Sequence, residues 1–113
     1  MPSPKSLAPE ELGRLLASRK KPLVIDVRER DEFAAGSIRC SVNIPLGTVI
    51  AGVLDGRLPK DRLIVTVCER GSERSPRAAR ELALRGFNAA LLLGGLRAWG
   101  HGGRKKASGR KRG

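Results

Sequence analysis

Short apolar runs alternate with amphipathic segments along the chain, and the two periods divide it into strands and helices. Leu23-Val24-Ile25-Asp26-Val27 and Leu63-Ile64-Val65-Thr66-Val67 are rich in β-branched residues and broken by few polar ones, the pattern of strands covered on both faces. Ala89 to Leu93 predicts a third buried strand. Between the strands the spacing lengthens. Pro9 with acidic Glu10 and Glu11 opens a helix that Leu12, Leu15 and Leu16 carry to about Ser18. Arg30 to Ala35 predicts a short helix, Ser37 to Pro45 a small extended piece around Val42 and Ile44, and Pro45 to Pro59 one short helix plus a loop. Ser75-Pro76 reads as an N-cap followed by proline at the first helical position. The helix they open runs through Ala78, Ala79 and Leu82 to Arg85, with Gly86 as its stop and Glu81 spaced to pair with Arg77 and Arg85. Gly94-Gly95 and a last helix through Trp99 complete the pattern.

Strands that alternate with helices imply an α/β domain with a parallel sheet flanked by helices, whose ligands gather at the carboxyl ends of the strands. Two candidate groups stand there. Cys68 follows the second run directly, and Asp26 and Arg28 lie at the end of the first.

A length of 113 residues fits one domain. No apolar run approaches the roughly 20 residues of a membrane span, and the N-terminus has neither the basic start nor the apolar stretch of a secretory signal, so a cytoplasmic location and no membrane contact are expected. Cys40 and Cys68 occupy unrelated contexts and His101 is the one histidine, which predicts neither a disulfide framework nor a metal site, and no cofactor. The net charge of +12 points to an anionic partner or substrate. Half of it comes from Arg104, Lys105, Lys106, Arg110, Lys111 and Arg112. Residues 102–113 have no apolar face to bury and are expected to be a disordered basic tail behind a domain spanning residues 1–101. Nucleic acid could touch that tail only through phosphates. The three aromatic residues, Phe33, Phe87 and Trp99, fall at core positions and leave no base-stacking surface, so nucleic acid ranks below the small anion.

The chemistry concentrates in Cys68-Glu69-Arg70-Gly71-Ser72-Glu73-Arg74-Ser75, a strand-to-helix turn. Backbone N–H groups of such a turn converge above a helix N-terminus and cradle an anion. A sulfur held there is stabilised as thiolate by the amides, the helix dipole and Arg70 or Arg74, so its pKa should fall below about 8.5. Gly71 permits the positive φ that turns several amides inward.

These motifs together resemble the rhodanese-like family, over nearly everything from Leu12 to Trp99. Leu23 to Arg28 followed by Glu32-Phe33-Ala34-Ala35-Gly36-Ser37-Ile38 resembles the family's first signature, and Val42 to Leu46 its continuation. Val67-Cys68, Gly71, Arg74-Ser75, Ala78-Ala79, Leu82, Gly86-Phe87, Leu93 to Leu96 and Ala98-Trp99 resemble the active-site loop, the following helix and the closing motif. The resemblance implies a three-layer fold and a sulfurtransferase. Cys68 would be the catalytic nucleophile, taking sulfane sulfur from a small anionic donor such as thiosulfate, holding it as a persulfide and passing it to a thiol or protein acceptor. The loop residues Glu69, Arg70, Gly71, Ser72, Glu73 and Arg74 would bind the substrate, with Asp26 and Arg28 bracing the strand end.

The chain departs from that pattern in three places. Cys68 to Arg74 spans seven residues where sulfurtransferases typically use six. The longer loop is typical of related phosphatases and arsenate reductases, although Val67 stands where those usually carry histidine. Glu69 and Glu73 bring negative charge to the cradle unless they point outward or pair with Arg70. Ser37 and Cys40 stand where the family often has His and Gly, which raises Cys40 as a resolving thiol. The alternatives to sulfur transfer are therefore arsenate reduction or phosphatase-like activity, and a non-catalytic binding module.

Overall fold

The structure, a computed structural model, describes residues 4–102. Its elements in chain order are β1 (Lys5–Leu7), α1 (Pro9–Leu16), β2 (Leu23–Asp26), α2 (Arg30–Ala35), β3 (Val42–Asn43), α3 (Leu46–Ala51), a 3-10 turn (Asp55–Arg57), β4 (Ile64–Val67), α4 (Arg74–Leu84), β5 (Ala89–Leu92) and α5 (Gly95–Gly102). The strands form one parallel sheet in the order β1-β5-β4-β2-β3. This is the α/β architecture expected of the alternating pattern. The basic tail lies outside the described residues from position 103 onward.

Side-chain alternation along the strands sorts the core into two halves. Ile25 and Val27 of β2 and its extension, Ile64 of β4, and Ala89 and Leu91 of β5 face one side. There they pack with Val49 of α3 and with Ala78, Ala79 and Leu82 of α4. Val24, Val65, Val67, Ala90 and Leu92 face the other, against Leu12 of α1 and Trp99 of α5. The small residues Ala78 and Ala79 let α4 lie close on the sheet, and Leu82 is fully buried beneath it.

β1 was not foreseen from the pattern. Three residues at the chain's start carry no readable period, and their strand character comes from pairing, with Lys5, Ser6 and Leu7 in register with Ala90, Leu91 and Leu92. Ser75 is not the N-cap that its place before Pro76 predicts. Helix α4 begins at Arg74 with Glu73 as its N-cap, so Ser75 lies inside the first turn and caps nothing. Proline at position 76 still suits that first turn, whose amides have no intrahelical partner. In the segment 45–59 the one expected helix is accompanied by the 3-10 turn. Glu81 pairs with Arg85 at 3.2 Å, and Arg85 also reaches Asp55 at 2.6 Å, tying α4 to that turn.

The chain leaves β2 toward β3 at one edge and leaves β4 toward β5 on the other side. Neighbouring strands whose connections diverge in this way open a crevice at their carboxyl ends. In the β2–β4 register Asp26 is level with Val67. Arg28 and Cys68 therefore stand just above the sheet on the two sides of that crevice.

Candidate functional site

Strand parity sends Cys68 to the same face as Ile64 and Thr66, underneath the first turn of α4. Its side chain is 3 % exposed. Thr66 Oγ1 donates to the Ser75 carbonyl at 2.8 Å and so holds that turn down on the strand. The result is a cradle around sulfur. The amides of Gly71 and Ser75 each donate to Cys68 Sγ at 3.3 Å, and Ser75 Oγ lies 3.3 Å from it. In the thiol form Sγ–H donates to that hydroxyl; on ionisation the hydroxyl turns and donates to sulfur. Burial pushes the Cys68 pKa up, but the hydroxyl and amide of Ser75 and the amides of Gly71 and Arg70 outweigh it, and the net shift is downward. The leading stabilisers of the thiolate are thus oriented dipoles. Ser75 was missed as a site residue because its position after the loop reads first as a helix cap.

Two glycines shape the loop. Gly71 has φ 73°, and a Cβ there would meet the Leu92 carbonyl oxygen at 2.8 Å and the Gly94 nitrogen at 2.9 Å. Gly95, with φ 61°, passes against the Cys68 and Glu69 carbonyls with no room for a side chain. Behind it the first amides of α5 turn those carbonyls away from the sulfur: Leu96 N donates to Cys68 O at 2.9 Å and Arg97 N to Glu69 O at 3.1 Å. With its carbonyls held on the outside, the loop presents its amides to the inside.

Asp26 and Arg28 form a buried ion pair at the end of β2, 2.8 Å between Nη2 and Oδ2. Arg28 Nη2 also donates to Gly36 O at 2.6 Å, and Asn43 Nδ2 donates to Asp26 O and Arg28 O at 3.0 and 2.9 Å. This network joins β2, the end of α2 and β3. Arg28 reaches Glu69 at 3.7 Å, so Glu69 pairs across the crevice with Arg28.

The mouth above the sulfur is a cavity of about 470 Å³ lined by Glu32, Cys68, Glu69, Arg70, Ser72, Glu73 and Arg74. All of the loop residues singled out in the sequence except Gly71 line it, and Gly71 meets the sulfur through its amide. Glu32 was not singled out. Its carboxylate accepts from Arg74 Nη1 at 2.8 Å and Nη2 at 3.2 Å while also accepting from Glu29 N at 2.8 Å. The Arg74 guanidinium and the Glu29 amide hold its pKa down at about 2. The signal available was its place three residues after Glu29, where a Glu caps its own helix; nothing local announced Arg74 as a second partner. Cys40 lies outside this lining, exposed in the turn before β3 with φ 64°.

A thiol beneath a helix N-terminus, ringed by inward amides at the carboxyl edge of a parallel sheet, defines a class: α/β proteins with an anion-cradled cysteine loop. The rhodanese-like domain model matches residues 8–101, and the chain belongs to the rhodanese-like family. It is 33% identical over 91 residues to a sulfurtransferase of Allochromatium vinosum, covering 80% of this chain and 82% of that one. It is 32% identical over 111 residues to the adenylyltransferase and sulfurtransferase MOCS3-2 of Zea mays, where 88% of this chain spans only 22% of the relative. Among solved structures, a rhodanese-related protein of Thermoplasma volcanium superposes with a TM-score of 0.77 at 29% identity, covering 88% of this chain and 93% of that one. A thiosulfate sulfurtransferase of Pseudomonas aeruginosa gives 0.77 at 26% identity, covering 88% of this chain and 19% of that one. These relatives support sulfur transfer as the class of activity. No helix among the described residues is long and apolar enough to cross a membrane.

Proposed function

We propose that the protein is a cytoplasmic sulfurtransferase whose nucleophile is Cys68, working in two half-reactions. The Cys68 thiolate attacks the outer sulfur of a sulfane donor such as thiosulfate. A new S–S bond forms to Sγ, the bond between sulfane sulfur and sulfite sulfur breaks, and sulfite leaves with its electron pair. A thiol or protein acceptor, as its thiolate, then attacks the outer sulfur of the persulfide and releases Cys68 as thiolate. The observation that carries this reading is the convergence of two amides and a hydroxyl on one buried sulfur, each at 3.3 Å. Such a cradle stabilises negative charge on Sγ before attack and on the outer sulfur afterward. Arg70 and Arg74 line the approach of the donor, while Asp26 and Arg28 brace the strand end.

The test is transfer itself: thiosulfate as donor, cyanide as acceptor and thiocyanate as readout, with Cys68→Ser and Cys40→Ser alongside. Turnover in wild type and Cys40→Ser, lost in Cys68→Ser, is expected. The seven-residue span from Cys68 to Arg74 favours one second reading, a site for a bulkier tetrahedral anion. Arsenate reduction or phosphate-ester hydrolysis exceeding sulfur transfer would replace the first reading with that one.

A further inference from the structure

The mouth of the site is not cationic, although the chain as a whole carries +12. Glu32, Glu69 and Glu73 line it against Arg70 and Arg74, and the buried pair Asp26–Arg28 beneath adds no net charge. Arg74, the guanidinium placed to meet a donor, is already engaged by both oxygens of Glu32 at 2.8 and 3.2 Å. A second negative charge on an incoming donor therefore meets carboxylate with no free Arg74 to offset it. A donor charged only on its transferable sulfur meets the dipole cradle alone.

We propose that Glu32 is a specificity-determining residue that, by occupying Arg74, makes the site select singly charged sulfane donors, organic persulfides and thiosulfonates, over the thiosulfate dianion. The inference rests on the sulfurtransferase reading and deepens it by naming the donor class. The chemistry is the same for each donor: the Cys68 thiolate forms a bond to the sulfane sulfur, the donor's bond to that sulfur breaks, and thiolate, sulfinate or sulfite departs with the electron pair. What differs is the charge left on the departing group.

The experiment compares thiosulfate with methanethiosulfonate, each with cyanide as acceptor, in the wild type, Glu32→Gln and Glu73→Gln. Glutamine keeps an acceptor for Glu29 N and removes the charge. Glu32→Gln should raise kcat/KM for thiosulfate relative to methanethiosulfonate by roughly tenfold, mainly through KM, as expected for one carboxylate acting on one extra donor charge at several ångströms near a protein surface. Glu73→Gln, which leaves the Arg74 pair intact, should move the ratio the same way and by less, and serves if Glu32→Gln folds poorly. A parallel measurement needs no turnover: protection of Cys68 from iodoacetamide by sulfate should require several-fold less sulfate in Glu32→Gln. An unchanged donor ratio together with unchanged sulfate protection overturns the role of Glu32. Failure of both donors to load wild-type Cys68 overturns the sulfurtransferase reading instead, while the sulfate measurement still decides whether Glu32 controls anion entry.

Discussion

Removing the Ser75 hydroxyl isolates one of the groups that hold the sulfur. Ser75 is fully buried, its amide donates to Cys68 Sγ at 3.3 Å, and Ser75→Ala leaves that amide, the helix and the Thr66 bond to the Ser75 carbonyl in place. Only the Oγ contact at 3.3 Å is lost. A hydrogen bond to an ionised group contributes about 1.5 kcal/mol, so the Cys68 pKa should rise by about one unit. The sign follows from the change of role: the hydroxyl accepts weakly from the thiol but donates to the thiolate, so its loss costs the charged form more. The assay is the pH dependence of alkylation by iodoacetamide in a Cys40→Ser background, where Cys68 is the single thiol. Below both pKa values the variant should react about tenfold more slowly, and above both the two rates should converge. A midpoint unmoved or moved downward, in a variant whose circular dichroism matches wild type, would refute the assignment of the hydroxyl as a leading stabiliser of the thiolate.

Other substitutions probe the frame around the sulfur. Asp26→Asn strands the buried Arg28 charge and should lower the unfolding free energy by about 3 kcal/mol in urea titration. Gly71→Ala places a methyl group against the Leu92 carbonyl at a positive φ; a loss of about 2 kcal/mol in thermal unfolding and a slower Cys68 alkylation are expected together. Leu82→Ala opens a cavity under α4 and should cost about 3 kcal/mol in the same urea titration, with the alkylation midpoint unchanged. Glu32 titrates near 2 in the fold against 4.5 for the free group, so its ion pair adds stability that is present above pH 4.5 and lost as pH falls through 2. Because both partners are about a third exposed, the amount is about 1 kcal/mol, and the stability gap between wild type and Glu32→Gln should be found at pH 6 and be mostly gone at pH 2.

Much of the fold was legible because the short continuous apolar runs and the helical patterns do not overlap here. The β-branched runs of β2 and β4 read as covered strands, and both are buried on each side. Arg30–Ala35 fell on the helix observed. β1 was illegible for the opposite reason: Lys5, Ser6 and Leu7 are strand only through their partners in β5. At the site, the position of Cys68 could be read because a strand end and a helix start flank it in sequence. What could not be read were contacts between distant segments. Glu32 lies 42 residues before Arg74 and Gly95 lies beyond the next strand, yet the first engages the loop arginine and the second leaves room for the loop. Ser75 was close enough to see, but a serine before a proline at a helix start has a local explanation that hid its contact with sulfur.

Whether Cys68 carries transferable sulfur is decided by intact-mass spectrometry of the reduced protein after exposure to thiosulfate and to methanethiosulfonate. A gain equal to one sulfur atom is expected in wild type and Cys40→Ser, absent in Cys68→Ser and reversed by cyanide. A protein that gains no sulfur from either donor, or gains it equally in Cys68→Ser, would contradict sulfur transfer through Cys68.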